Sequence, residues 1–112
     1  MALAGVSLDS LSRSIALEWA PKGIRVDAVA RDHIATGGVI EDYARAGSKA
    51  AMVGTIPARR IADVDDIADA VLFLCSDRAR HIMGQALTVD GARGLFEAAG
   101  AAENFGIQSI MT

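Results

Sequence analysis

Five groups of side chains in this sequence have the types and spacing to do chemistry. His33 sits in a short loop and could pass a proton near neutral pH; with no partner in the pattern around it, it reads as a solvated loop residue. Cys75 is the single thiol; on an apolar helical face it reads as a buried, inert side chain rather than a nucleophile. Asp63, Asp65 and Asp66 could suggest a metal, but at the start of a helix they read as charges favoured by the positive end of the dipole. Arg59-Arg60 could meet a phosphate, and reads first as a surface or inter-element ion pair. Tyr43 and His81 carry no signal beyond a structural role. The remaining candidate is positional: the loop at 31–37 follows the carboxyl end of a short apolar strand, where ligands bind in open parallel sheets.

The elements that must position these residues follow from periodicity. Over 3–20, Leu3, Val6, Leu11, Ile15 and Trp19 recur at helical spacing, with Leu8 and Leu17 widening the stripe. Pro21-Lys22-Gly23 ends that helix, Gly23 being suited to a left-handed cap and Lys22 to the negative end of the dipole. Residues 24–30 predict a strand apolar on both faces, hence covered on both sides. Residues 38–53 are helical in part, with Gly47 and Gly54 as interruptions, and 55–60 form a connector. A helix follows, N-capped by Asp63, with Ile67, Ala70, Val71, Leu74 and Cys75 on one face and Ser76-Asp77 at its end. A second short strand spans Gly84 to Gly91, and 95–103 predict a small helix. Two strands each preceded by a helix imply a parallel pair.

Composition bounds the function. The 112 residues suit one domain, 52% are hydrophobic and 22% charged, which is a globular balance. A net charge of −3 with mixed signs excludes a basic nucleic-acid footprint. One cysteine excludes an internal disulfide, and with His33 and His81 alone it makes no zinc cluster, so no metal is expected. No apolar run nears the roughly 18 residues of a membrane span and no signal peptide is visible, so a cytoplasmic location is the expectation.

The order of short motifs is more specific. Ala2-Leu3-Ala4-Gly5, Leu11-Ser12-Arg13-Ser14-Ile15-Ala16-Leu17-Glu18 and Ala20-Pro21-Lys22-Gly23-Ile24-Arg25-Val26 resemble the short-chain dehydrogenase/reductase family, classical type. Arg60-Ile61, Asp66-Ile67-Ala68, Val71-Leu72-Phe73-Leu74, Ser76-Asp77, Gly84-Gln85 and Leu87-Thr88-Val89-Asp90-Gly91 continue in the family's order. The resemblance covers residues 2 to about 93 and implies an α/β fold: the C-terminal part of a doubly wound Rossmann-like parallel sheet, with two strands and three to four helices. Residues 1–93 are then that domain part, and 94–112 a Gly/Ala-rich extension.

The resemblance further implies an NAD or NADP cofactor and hydride transfer between a hydroxyl and a ketone. Family members carry a glycine-rich phosphate turn, then a Tyr-x-x-x-Lys pair, then the helix with which this sequence begins. No Gly-x-x-x-Gly-x-Gly occurs in the 112 residues, and Tyr43 is followed four residues later by Gly47. No catalytic residue is therefore assigned, and the expectation is no dehydrogenase activity from this chain alone. At the loop after the first strand, family members show Asn-Ala-Val-x-Pro-Gly and then Ile-x-Thr. Ile34 and Thr36 match, as cofactor-binding residues for the nicotinamide carboxamide and the amide or pyrophosphate. Arg31 and Asp32 stand at the Pro-Gly positions, and Asp27 at the Asn. By the same resemblance, the helix over 63–76, the last strand and the helix over 3–20 face other subunits. A homo-oligomer, or a chain supplying the missing half, is expected as partner; the alternative to an enzyme is a non-catalytic oligomerisation or interaction module.

Overall fold

The structure is a computed structural model that describes residues 2–32, 34–38, 41, 47 and 49–104. His33 and Tyr43 lie outside the described residues. The described elements are α1 (Ala2–Trp19), β1 (Ala28–Arg31), α2 (Lys49–Gly54), α3 (Val64–Cys75), β2 (Ala86–Val89) and α4 (Arg93–Asn104). They belong to two compact units, residues 1–31 with 65–89 and residues 32–64 with 90–112.

The first unit holds α1, α3 and the sheet. α1 tightens into a single 3-10 turn over Ala20–Lys22, where Pro21 needs no amide partner. Gly23 then closes it at φ 76°, donating its N–H to the Ala20 carbonyl at 3.0 Å. The cap expected from Pro-Lys-Gly is thus observed, and it turns the chain toward the sheet. β1 and β2 pair in parallel, with Ala28, Val29, Ala30 and Arg31 opposite Ala86, Leu87, Thr88 and Val89.

Both strands are shorter than the periodicity predicts. Val26 accepts the Gly84 N–H at 2.8 Å, but at the next position the Gln85 N–H goes to the Asp27 side chain at 3.0 Å rather than to backbone. A carboxylate thus stands in for a ladder carbonyl, and regular pairing begins only at Ala28. The expectation that both faces of this strand are covered is corrected as well. Ala28 and Val29 are half-buried, Ala30 is exposed, and Leu87 on β2 is exposed.

α3 follows directly on Asp63 and has Asp65 and Asp66 in its first turn, as the charge pattern predicts. Its carboxyl end is held by Arg25, whose guanidinium donates to the Ala79 carbonyl at 2.9 Å and to the Ser76 carbonyl at 3.2 Å. Both carbonyls lie just past α3 and already accept a backbone N–H, from Ala79 at 3.1 Å and from Ile82 at 2.9 Å, so the guanidinium adds a second, charge-assisted bond to each. Among the described residues of this unit, Ala16, Leu74 and Ala79 are buried apolar residues.

In the second unit, the loop after β1 meets the segment before α3. Ile34 and Ala62 form a parallel bridge, and the Ala35 N–H donates to the Ala62 carbonyl at 2.7 Å. A turn after α2 buries Ile56 and brings the Ala58 N–H to the Gly91 carbonyl at 3.1 Å. α4 begins two residues earlier than the periodicity over 95–103 predicts, because Asp90 caps it. The Asp90 carboxylate accepts from the Ala92 N–H at 3.0 Å and the Gly94 N–H at 2.9 Å.

Candidate functional site

The residues at 31–36 leave β1 at its carboxyl end, the position at which parallel sheets present ligands. Within the second unit the loop is held at both ends. On one side, the Asp32 carboxylate lies 2.6 Å from the Arg93 guanidinium, across 61 positions of sequence. On the other, the bridge to Ala62 fixes Ile34 and Ala35. Between these ties the Thr36 N–H donates to the Ile34 carbonyl at 2.8 Å, folding 34–36 into a three-residue turn. Thr36 is exposed and Ile34 is half-buried. The main-chain amides of Ala35 and Thr36 are therefore committed to the protein, which leaves the Thr36 hydroxyl as that residue's group for a ligand.

The three departures from the family's loop pattern have distinct structural consequences. Asp27 is turned inward with its side chain 6% exposed, where it accepts from Gln85 and lies 3.7 Å from Arg25. It serves the strand pairing, as an asparagine carbonyl could. Asp32 is neutralised by Arg93, whose second terminal nitrogen reaches Glu97 at 3.1 Å, one helical turn along α4. Arg31 is the last residue of β1 and is exposed.

Of the other candidates, Cys75 and His81 belong to the first unit, not to that of the loop. Cys75 ends α3 in the first unit and is exposed, which corrects the expectation of a buried thiol. Asp65, Asp66 and Asp69 mark the polar side of α3, and Leu74 and Cys75 both lie on the opposite, apolar side; Leu74 turns inward, and its neighbour about 100° further round does not. His81 is exposed in the same unit. Arg59 is exposed with φ 60° and donates to the Gly54 carbonyl at 3.4 Å. Among the described residues no group of three His, Cys, Asp or Glu side chains is placed to hold a metal ion, and no helix is long and apolar enough to cross a membrane.

A groove of about 400 Å³ in the first unit is lined by Arg25, Val26, Asp27, Val29, Leu74 and Cys75, among others. Its charged groups are already engaged, Arg25 with two carbonyls and Asp27 with Gln85. The residue that sequence reasoning missed is Arg93. Its helical neighbour Glu97 is visible in the sequence at i+4, but nothing local announces Asp32.

Comparison with known proteins agrees with this architecture. A family model described as enoyl-(acyl carrier protein) reductase matches residues 1–92. L-rhamnose 1-dehydrogenase (NAD(P)(+)) of Azotobacter vinelandii is 40% identical over 87 residues, 78% of this chain and 33% of that protein. A short-chain type dehydrogenase/reductase of Sinorhizobium fredii is 45% identical over 86 residues, 75% of this chain and 16% of that protein. This chain thus spans a third or less of the length of these relatives. Among solved structures, acetoin dehydrogenase from Salmonella typhimurium superimposes with a TM-score of 0.67 at 36% identity, over 83% of this chain and 34% of that one. The matched motifs, the parallel β1–β2 pair and these relatives lead to one conclusion: the chain belongs to the short-chain dehydrogenase/reductase family.

Proposed function

We propose that these residues form the C-terminal, nicotinamide-side portion of an NAD(P)-dependent oxidoreductase acting on a hydroxyl/ketone pair. The observation that carries this reading is the turn at 34–36, tied to Ala62 at the carboxyl end of β1 with Thr36 exposed. The names of relatives support the cofactor class, among them the NAD(P)(+)-dependent rhamnose dehydrogenase. Ile34 and Thr36 fit the carboxamide end of a nicotinamide, the first through its main chain and the second through its hydroxyl. Asp32 does not obstruct that role by charge, because Arg93 compensates it within the unit. The nicotinamide, when bound, supplies or accepts the hydride. This chain's part is to orient the ring's carboxamide; the 112 residues contain no Tyr-x-x-x-Lys pair to handle the proton and no glycine-rich turn to take the pyrophosphate.

On this reading the 112 residues alone bind neither NADH nor NADPH and turn over no ketone. Titration of purified protein with each reduced cofactor, followed by fluorescence, is expected to give no saturable micromolar signal; saturation accompanied by turnover would overturn the expectation. In a polypeptide joining this segment behind the N-terminal two thirds of a family relative, Thr36→Val should weaken cofactor binding about five- to tenfold, the worth of one hydrogen bond of roughly 1–1.5 kcal/mol. An unchanged affinity would remove Thr36 from the site.

A second reading, a non-catalytic module that binds a second copy of this chain, is favoured by the exposed apolar residues of the first unit. Leu72 is 67% exposed and Phe73 42% on α3, and Leu87 is exposed on β2. Sedimentation is expected to show a dimer; a monodisperse monomer would exclude this reading.

A further inference from the structure

The loop that carries Ile34 and Thr36 is one side of a closed ring of ties within the second unit. Asp32 is joined to Arg93 at 2.6 Å. Ile34 and Ala35 are joined to Ala62 through the parallel bridge and the 2.7 Å hydrogen bond. Ala58 is joined to Gly91 at 3.1 Å. Three segments, at 32–35, 58–62 and 90–93, are therefore linked pairwise. The two backbone ties resemble those of any folded chain. The third is made by side chains alone, between an acid at a loop position and a base 61 residues away.

Arg93 is unusually well prepared for that tie. Its own backbone N–H is held by the Asp90 carbonyl at 3.2 Å, and the Asp90 carboxylate fixes the flanking amides of Ala92 and Gly94. Glu97 holds the second guanidinium nitrogen at 3.1 Å. With its side chain 18% exposed and that of Asp32 32% exposed, the pair is shielded beyond an ordinary surface ion pair, and its short charge-assisted contact is of the strong kind.

We propose that Asp32 and Arg93 are positioning residues, an electrostatic latch that holds the 34–36 turn in place. The latch itself is independent of any ligand; its consequence for a cofactor rests on the function proposed above.

Amide hydrogen exchange on the 112-residue protein tests the latch without requiring activity. Ala35, whose N–H donates to Ala62, reports the loop, and Ala28, whose N–H donates to Gln85 at 2.8 Å, reports the first unit. Arg93→Met and Asp32→Asn are each expected to accelerate exchange at Ala35 about tenfold while leaving Ala28 unchanged. Their combination should accelerate exchange by clearly less than the product of the two single effects, because the Asp32–Arg93 contact is lost in either one. Arg93→Lys should restore part of the protection, and half-molar salt should accelerate Ala35 in the parent protein but not in Arg93→Met. Unchanged exchange at Ala35 in both single variants would overturn the proposal, as would equal acceleration at Ala28 and Ala35. Additive effects of the two substitutions would overturn it too. Since two different residues are altered, failure of one variant to fold leaves the other to decide. Loss of the Thr36 effect on cofactor affinity, with loop protection intact, would refute the functional reading and leave the latch standing.

Discussion

Among the described glycines, an added methyl should do most damage at Gly91, in Gly91→Ala. Gly91 lies at φ 61°, in the left-handed region, so a side chain there incurs about 1–2 kcal/mol from its clash with the following carbonyl. An added Cβ would also stand 2.8 Å from Cγ2 of Ile56 and 2.9 Å from Cβ of Ala58. Neither neighbour can yield easily: Ile56 is 5% exposed and enclosed by protein, and an alanine Cβ moves only with its backbone. That backbone donates to the Gly91 carbonyl itself, so relief of one contact strains the other. Overpacking of this kind costs about 1–3 kcal/mol, which brings the expected loss to roughly 2–5 kcal/mol. Gly23→Ala supplies the control. Gly23 has a comparable φ of 76°, but a methyl added there would meet nothing within 4 Å, so it should lose only the conformational part, about 1–2 kcal/mol. Urea denaturation of both variants, read by circular dichroism, measures the difference. Equal losses at the two glycines would refute the claim that the turn at 90–92 is packed against Ile56 and Ala58.

Two further substitutions probe the same physics elsewhere. Arg25→Met removes both donors from the Ser76 and Ala79 carbonyls and should cost about 2–3 kcal/mol in urea denaturation, with Arg25→Lys recovering less than half because a compact ammonium cannot span two carbonyls as a planar fork does. Ala92→Gly should instead stabilise, by up to about 1 kcal/mol: Ala92 sits at φ 70°, where removing the methyl relieves strain faster than it adds freedom to the unfolded chain. A fall in thermal midpoint for Ala92→Gly would show that this conformation is not strained.

Much of the architecture is written in local chemistry. Pro21-Lys22-Gly23 states where α1 must stop, since proline has no N–H to continue the helical ladder and glycine reverses the chain cheaply. Asp65 and Asp66 mark where α3 begins, and the helix-before-strand order implies parallel pairing, which β1 and β2 show. Short motifs in register suffice to indicate the family, because each reflects a local demand of turn, cap or strand that survives in any context.

What tertiary structure decided is whatever depends on a partner far along the chain. Periodicity places both Leu74 and Cys75 on the apolar side of α3, opposite Asp65, Asp66 and Asp69, yet which of the two is covered depends on what packs there; the fold buries Leu74 and exposes the thiol. The strands begin later than their apolar pattern because the Asp27 carboxylate, not the backbone, meets Gln85. The loop at 31–36 shows the division most sharply. Its sequence identifies Ile34 and Thr36 as the residues matching a nucleotide-binding pattern and Asp32 as a departure from it. Only the folded chain brings Arg93 to that acid, since an ion pair spanning 61 residues is set by the path of the backbone and leaves no periodic trace in the residues between.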